Sequence, residues 1–237
     1  MSDTGLTISG LSSGYGQIQV IRDLSLECRA GEITALLGRN GAGKTTLLSA
    51  ITGLIPSTGS VTVDGVELSG PANARARAGL ALVQEGKRVF RARTVEDNLR
   101  IGGYIHRRRR GYLNAGIERA YERFPILKEK RSSPAGLLSG GQQQMLAIAQ
   151  ALMIDPKVLL LDEPSAGLAP TIVQAVFAEV SQLRDDGLCV VLVEQLIDNS
   201  LAIADSVSVI DRGTLAMTSR VADLEDWSML RGIYLGA

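Results

Sequence analysis

The chain has 237 residues, enough for one large or two small domains around a sizeable core. Lys plus Arg number 25 and so do Asp plus Glu, so net charge draws the chain neither to nucleic acid nor to an acidic membrane. Only 4% of residues are aromatic, too few for a platform on which single-stranded nucleic acid stacks.

The start, MSDTGLTISG, lacks the charged-then-apolar pattern of a signal peptide. LTISGLSS and IRDLSLECRAG then predict short strands with turns, and EITALLG a buried strand running into a Gly-rich turn. KTTLLSAITGL predicts a helix closed by Gly53. SVTVDGVEL holds Asp-Gly between alternating apolar residues, a strong hairpin signal, and LALV is another buried strand. From about Glu85 to Pro134 arginine rises, β-branched residues thin out, and VEDNLRIGGY and LNAGIERAYERF carry helical spacing, which predicts a helical insertion. Strands and helices alternate after it: QQQMLAIAQALM, KVLLLDE, TIVQAVFAEVSQLR, LCVVLVE, LIDNSLAIA and DSVSVID. That order predicts a parallel sheet with flanking helices. The longest apolar runs are strand-sized, so the chain is not expected to cross a membrane. Cys28 and Cys189 read as buried free thiols more than as a disulfide, in keeping with a reducing cytosol. HRRRR, His106 to Arg110, reads as a solvated helix or loop face; contact with phosphates, lipid head groups or a partner protein is the sharper alternative.

Three stretches carry chemistry. GRNGAGKTT, Gly38 to Thr46, matches G-x-x-x-x-G-K-[ST] between a buried strand and a helix. Its glycines let backbone N–H groups wrap phosphate oxygens, and the helix N-terminus adds positive charge. Lys44 is placed for the β and γ phosphates and the Thr45 hydroxyl for Mg²⁺. A merely tight loop explains the glycines but not Lys-Thr at that offset. KVLLLDEP ends a strand in Asp162 and Glu163, two acids that are costly there unless a cation or water uses them. Asp162 suits Mg²⁺ held through water and Glu163 suits polarising an attacking water; two charges favouring the next helix is the bland alternative. The Lys44 motif on a neighbouring strand is expected to tip the balance. In LLSGGQQQ, Ser139 fits a helix N-cap, and a capped helix start beside glycines also fits an anion.

LSGGQ about twenty residues before a strand ending in Asp-Glu, with GRNGAGKTT upstream, resembles the nucleotide-binding domain of ATP-binding cassette proteins over nearly the whole chain. The resemblance implies an α/β fold: a P-loop NTPase (RecA-like) core with an N-terminal antiparallel β-subdomain and an inserted α-helical subdomain. One domain then spans 1–237, with the core and β-subdomain in about 1–85 and 150–237 and the helical subdomain with the signature in about 86–149. It implies ATP and Mg²⁺, with phosphates held by Gly38, Asn40, Gly41, Ala42, Gly43, Lys44, Thr45 and Thr46, and adenine stacked on Tyr15. Ser139, Gly140, Gly141 and Gln142 would reach the γ-phosphate of ATP on a second subunit. In VQEGKRVF the family's metal-linked glutamine falls on Gln84, or on Glu85 by the register counted back from Phe90. SAGLAP, Ser165 to Pro170, takes the place of the dimer-contact loop, with Ala169 where many relatives carry Asp.

LCVVLVEQ departs from the family. Gln195 stands where most members have a histidine near the γ-phosphate, and the only histidine here is His106. Gln195 can donate and accept hydrogen bonds but cannot carry a proton near neutral pH. Its own site is therefore either slow, or sufficient because positioning dominates phosphoryl transfer. LVEQ with EGKRVF, TVEDNL, DEPSAGLAP and the terminal YLGA resembles one ATP-binding subunit of branched-chain amino acid importers, a type shared with importers of urea and short amides. The resemblance implies a cytoplasmic position on the inner face of the membrane. It implies a second ATP-binding subunit (a different chain or a second copy), two permeases, an extracytoplasmic binding protein and no nucleic acid. A lipid exporter subunit is the nearest rival, followed by a soluble cassette ATPase and an unrelated P-loop kinase.

Overall fold

The computed structural model describes residues 5–195 and 197–224, so the terminal YLGA lies outside the described residues. Strands β1 (Leu6–Tyr15) and β2 (Ile18–Cys28) pair antiparallel. β3 (Ile33–Leu37) runs into helix α1 (Lys44–Ile51), and Gly53, at φ 70, follows the C-cap Thr52. β4 (Ser57–Val63) and β5 (Val66–Glu67) form the expected hairpin. Asp64 (φ 49) and Gly65 (φ 74) both take positive φ there, as a tight two-residue turn requires. Among the described residues these strands form an antiparallel sheet in the order β2-β1-β4-β5.

Helix α2 (Ala72–Arg77) and β6 (Leu80–Val83) lead into α3 (Val95–Gly102), α4 (Tyr112–Arg123), α5 (Pro125–Glu129) and α6 (Gly140–Leu152). Then come β7 (Val158–Asp162), α7 (Pro170–Asp185), β8 (Cys189–Val193), α8 (Ile197–Leu201), β9 (Ser206–Asp211) and β10 (Thr214–Arg220). The second sheet runs β10-β9-β3-β8-β7-β6, parallel except for the antiparallel β9–β10 pair at one edge. One expectation needs correction. β7 does not neighbour β3, because β8 lies between them and pairs with both. Two pairing registers, Leu36↔Val193 and Asp162↔Val193, therefore bring the carboxyl ends of β3, β8 and β7 level.

The uninterrupted apolar runs in β7 and β8 follow from burial on both faces. Leu159, Leu161, Val190 and Leu192 join the core beneath α3–α7. Leu160, Val191 and Val193 face the opposite core, shared with α1 and the antiparallel sheet. Each such side chain contributes roughly 1.5–3 kcal/mol on burial. Thr94 caps α3 in a reciprocal box with Asp97. Asn98, fully buried, bonds the backbone N–H and C=O of Phe90 (2.7 and 3.1 Å) and the carbonyl of Thr94 (2.8 Å). These bonds fasten the loop after β6 to α3.

Arg107 to Arg110 are exposed, as the solvated reading expects. Two of them rest on rings: Arg107 lies 4.2 Å from the centroid of Tyr104 and Arg109 4.8 Å from that of Tyr112. Cys28 and Cys189 are both buried and free. Burial pushes the Cys28 thiol up to about 12, against a hydrogen bond from Thr34, and raises Cys189 as well. Thiolate is the reactive form, so iodoacetamide at pH 8 is expected to leave both unmodified in the native chain and to alkylate both after denaturation. Intact mass spectrometry checks this; rapid native labelling would mean that the β2–β8 contact opens.

Candidate nucleotide site

The Gly38–Thr46 loop follows β3 because β3 ends where the backbone must turn sharply. A Cβ on Gly38 would lie 2.6 Å from the carbonyl oxygen of Ile210. Gly43 sits at φ 109, and its Cβ would meet Ile21 Cδ1 at 2.8 Å, so glycine is required on both counts. The loop is braced from outside by the β9–β10 turn: Gly213 N–H donates to Ala42 O (3.0 Å), and Arg22 N–H donates to Gly213 O (2.9 Å). Asn40, Gly41 and Thr45 are exposed, while Ala42, Gly43, Lys44 and Thr46 are buried. No side chain caps α1 at Gly43, whose N-terminal N–H groups thus remain for a phosphate.

Lys44 is 5% exposed and donates to the carbonyls of Gly38 (2.6 Å) and Arg39 (3.3 Å). Burial lowers its pKa, against the opposing pull of Glu163 and Asp162. Asp162, 3% exposed, has its pKa raised by burial; Glu163 and Glu85 add to the rise, and the Thr45 hydroxyl and Lys44 oppose it. A buried carboxylate in that position is relieved by a cation. Asp162 with the Thr45 hydroxyl is a hard oxygen pair of the kind Mg²⁺ uses together with substrate phosphates, so these residues fit that ion.

Glu163 takes φ 49, and its N–H donates to Val193 O across the sheet (2.9 Å). The Gln195 amide Nε2 donates to both Glu163 carboxylate oxygens, each at 2.8 Å. The structure therefore brings Lys44, Thr45, Asp162, Glu163 and Gln195 to one sheet edge. Gln84 lines a cleft with Thr52, Leu54, Ala72 and Ala151, and the charge of the neighbouring Glu85 adds to the rise at Asp162. Tyr15, 54% exposed, ends β1 at the hairpin whose Val20 and Ile21 back Gly43.

The signature is not part of this cluster. Ser139 caps α6 in a reciprocal box with Gln142 (3.3 and 3.0 Å), so the N-cap reading holds. Gly140 lies near Leu168 and Lys87, and a Cβ on Gly141 would stand 2.4 Å from Ile172 Cγ2. Among the described residues no hydrogen bond or ion pair joins Ser139–Gln142 to the Gly38–Thr46 loop. Glu194, to which the sequence analysis gives no role, is 2% exposed and bonded to two loops. Its position directly after an unbroken buried strand was the available signal.

A glycine-rich phosphate loop, a carboxylate pair at the next strand but one and a glycine signature on a separate helix define an ATPase of the cassette class. The family model described as ABC transporter matches residues 21–166, and the chain belongs to that family. It binds ATP and couples its hydrolysis to transport. The chain is 44% identical to the high-affinity branched-chain amino acid transport ATP-binding protein BraG of Pseudomonas aeruginosa, covering 98% of this chain and 99% of the relative. It is 34% identical to the probable branched-chain amino acid transport ATP-binding protein LivF of Archaeoglobus fulgidus (95% and 96% covered), and 34% identical to the lipopolysaccharide export ATP-binding protein LptB of Escherichia coli (98% and 97%). An ATP-binding cassette of an ABC transporter in its ADP conformation superposes with a TM-score of 0.85 at 24% identity, covering 99% of each chain, which shows the shared fold. Among the described residues no helix is long and apolar enough to cross a membrane.

Proposed function

We propose that this chain is an ATP-hydrolysing subunit of a branched-chain amino acid importer, held on the inner face of the membrane by permease subunits. The observation that carries the transport reading is the 44% identity to BraG over nearly the full length of both chains, ten points above LptB (44 against 34). In the site, Gly38, Asn40, Gly41, Ala42, Gly43, Thr46 and Lys44 hold the phosphates and Tyr15 stacks on adenine. Glu163 takes the proton of the attacking water, and Gln195 orients both. Thr45, Glu85 and, through water, Asp162 would hold Mg²⁺, which would neutralise charge on the phosphates. The register counted back from Phe90 favours Glu85 over Gln84 for that position.

Ser139, Gly140, Gly141 and Gln142 act on the ATP of a second ATP-binding subunit; their separation from the Lys44 loop within one chain supports this. Residues 86–149 form the helical subdomain that meets the permease. An extracytoplasmic protein delivers substrate to that permease. Deleting the encoding gene and restoring it on a plasmid tests the transport reading. Uptake of radiolabelled leucine should disappear on deletion, return with the wild-type chain and stay absent with Glu163→Gln. Unchanged leucine uptake alongside loss of lipid export would support the LptB-like alternative instead.

A further inference from the structure

We infer that Glu194 is a positioning residue that sets where Gln195 and the Ser165–Pro170 loop stand relative to Glu163. The inference rests on the proposed roles of Gln195 and Glu163. Glu194 is 2% exposed, and no Lys or Arg among the described residues pairs with it. A buried carboxylate without a cation is costly, and an apolar residue would end β8 without that cost. Backbone donors compensate it. Oε1 accepts from the Ser165 N–H at 2.8 Å and Oε2 from the Gln195 N–H at 3.2 Å; the Ser165 hydroxyl bonds it as well.

One carboxylate thus bridges the loop after β7 and the loop after β8. Both loops also meet at Glu163. Ala166 N–H donates to the Glu163 carbonyl (3.1 Å), and the Gln195 side chain holds both carboxylate oxygens. Gln195 itself is exposed, so its own side chain has little packing to direct it. Its backbone N–H on Glu194 supplies the direction. A shift of the Ser165–Pro170 loop is carried through Glu194 to the Gln195 amide, and so to the orientation of Glu163. A carboxylate serving only to plug the loops makes no such claim on turnover.

Glu194→Gln tests this, because an amide offers one acceptor where two N–H groups need two. Steady-state ATP hydrolysis is measured on the full-length chain with the subunits it assembles with, alone and combined with Gln195→Ala. Glu194→Gln should lower kcat by about ten- to a hundredfold with KM for ATP unchanged, and should add no further loss to Gln195→Ala. Ser165→Ala, which removes only the hydroxyl, is the milder variant should Glu194→Gln fold poorly; it should lower kcat in the same direction at constant KM. An unchanged kcat, or a loss that simply multiplies with that of Gln195→Ala, overturns the inference. If Gln195→Ala alone leaves kcat unchanged, the role proposed for Gln195 fails first, and this inference with it.

Discussion

Glu163→Gln is expected to lower hydrolysis at this chain's own site by about 10²–10⁴-fold, the usual contribution of a positioned general base. Binding of ATP should persist. The substituted amide is nearly isosteric, the backbone bond from residue 163 N–H to Val193 O is unaffected, and Gln195 still finds one acceptor. The change also removes a negative charge that acts on Lys44 and Asp162, so repulsion of the phosphates falls and affinity should hold or rise. Equilibrium binding of ATP beside single-turnover hydrolysis checks both halves. Full turnover would contradict the role of Glu163 as base, and lost binding would place it in nucleotide affinity instead.

Lys44→Ala should act on the other parameter. Lys44 is the buried cation between the phosphate loop and two carboxylates. Hydrogen bonds to charged groups contribute about 1.5–3 kcal/mol each, so the loss of one converts to roughly a ten- to hundredfold weaker affinity for Mg-ATP. Asp162 and Glu163 would then face the phosphates without the intervening positive charge. Lys44→Met retains most of the side-chain volume and is expected to show the same loss, which separates charge from the cavity that alanine leaves. Isothermal titration calorimetry with Mg-ATP reads the effect; unaltered affinity in both variants contradicts the phosphate role of Lys44.

These two residues were legible in the sequence because local chemistry dictates them: a glycine loop between strand and helix, and acids ending an apolar strand. The buried strands were equally plain, since β7 and β8 are apolar on both faces. Their order in the sheet was not legible. The place of β8 between β3 and β7 depends on which strands pair across long separations. β10 escaped notice because Thr214–Arg220 is a mixed polar edge strand with only half-buried alternate residues, and α2 because its six residues bury none. Gln84 and Glu85 follow β6 side by side, and composition alone does not choose between them. Glu194 carried a visible oddity, an acid directly behind a fully buried strand, but its partner Ser165 N–H comes from the loop after β7 and reaches it only after folding.

The most direct test of the account is steady-state hydrolysis per chain across a concentration series, with and without the paired ATP-binding subunit, beside Glu163→Gln. The ATP site is proposed to be completed by a signature segment from a second subunit. Turnover per chain should therefore rise with concentration or with added partner, and vanish in the variant. Turnover that is constant from the most dilute sample upward and survives in Glu163→Gln would contradict both the shared site and its base.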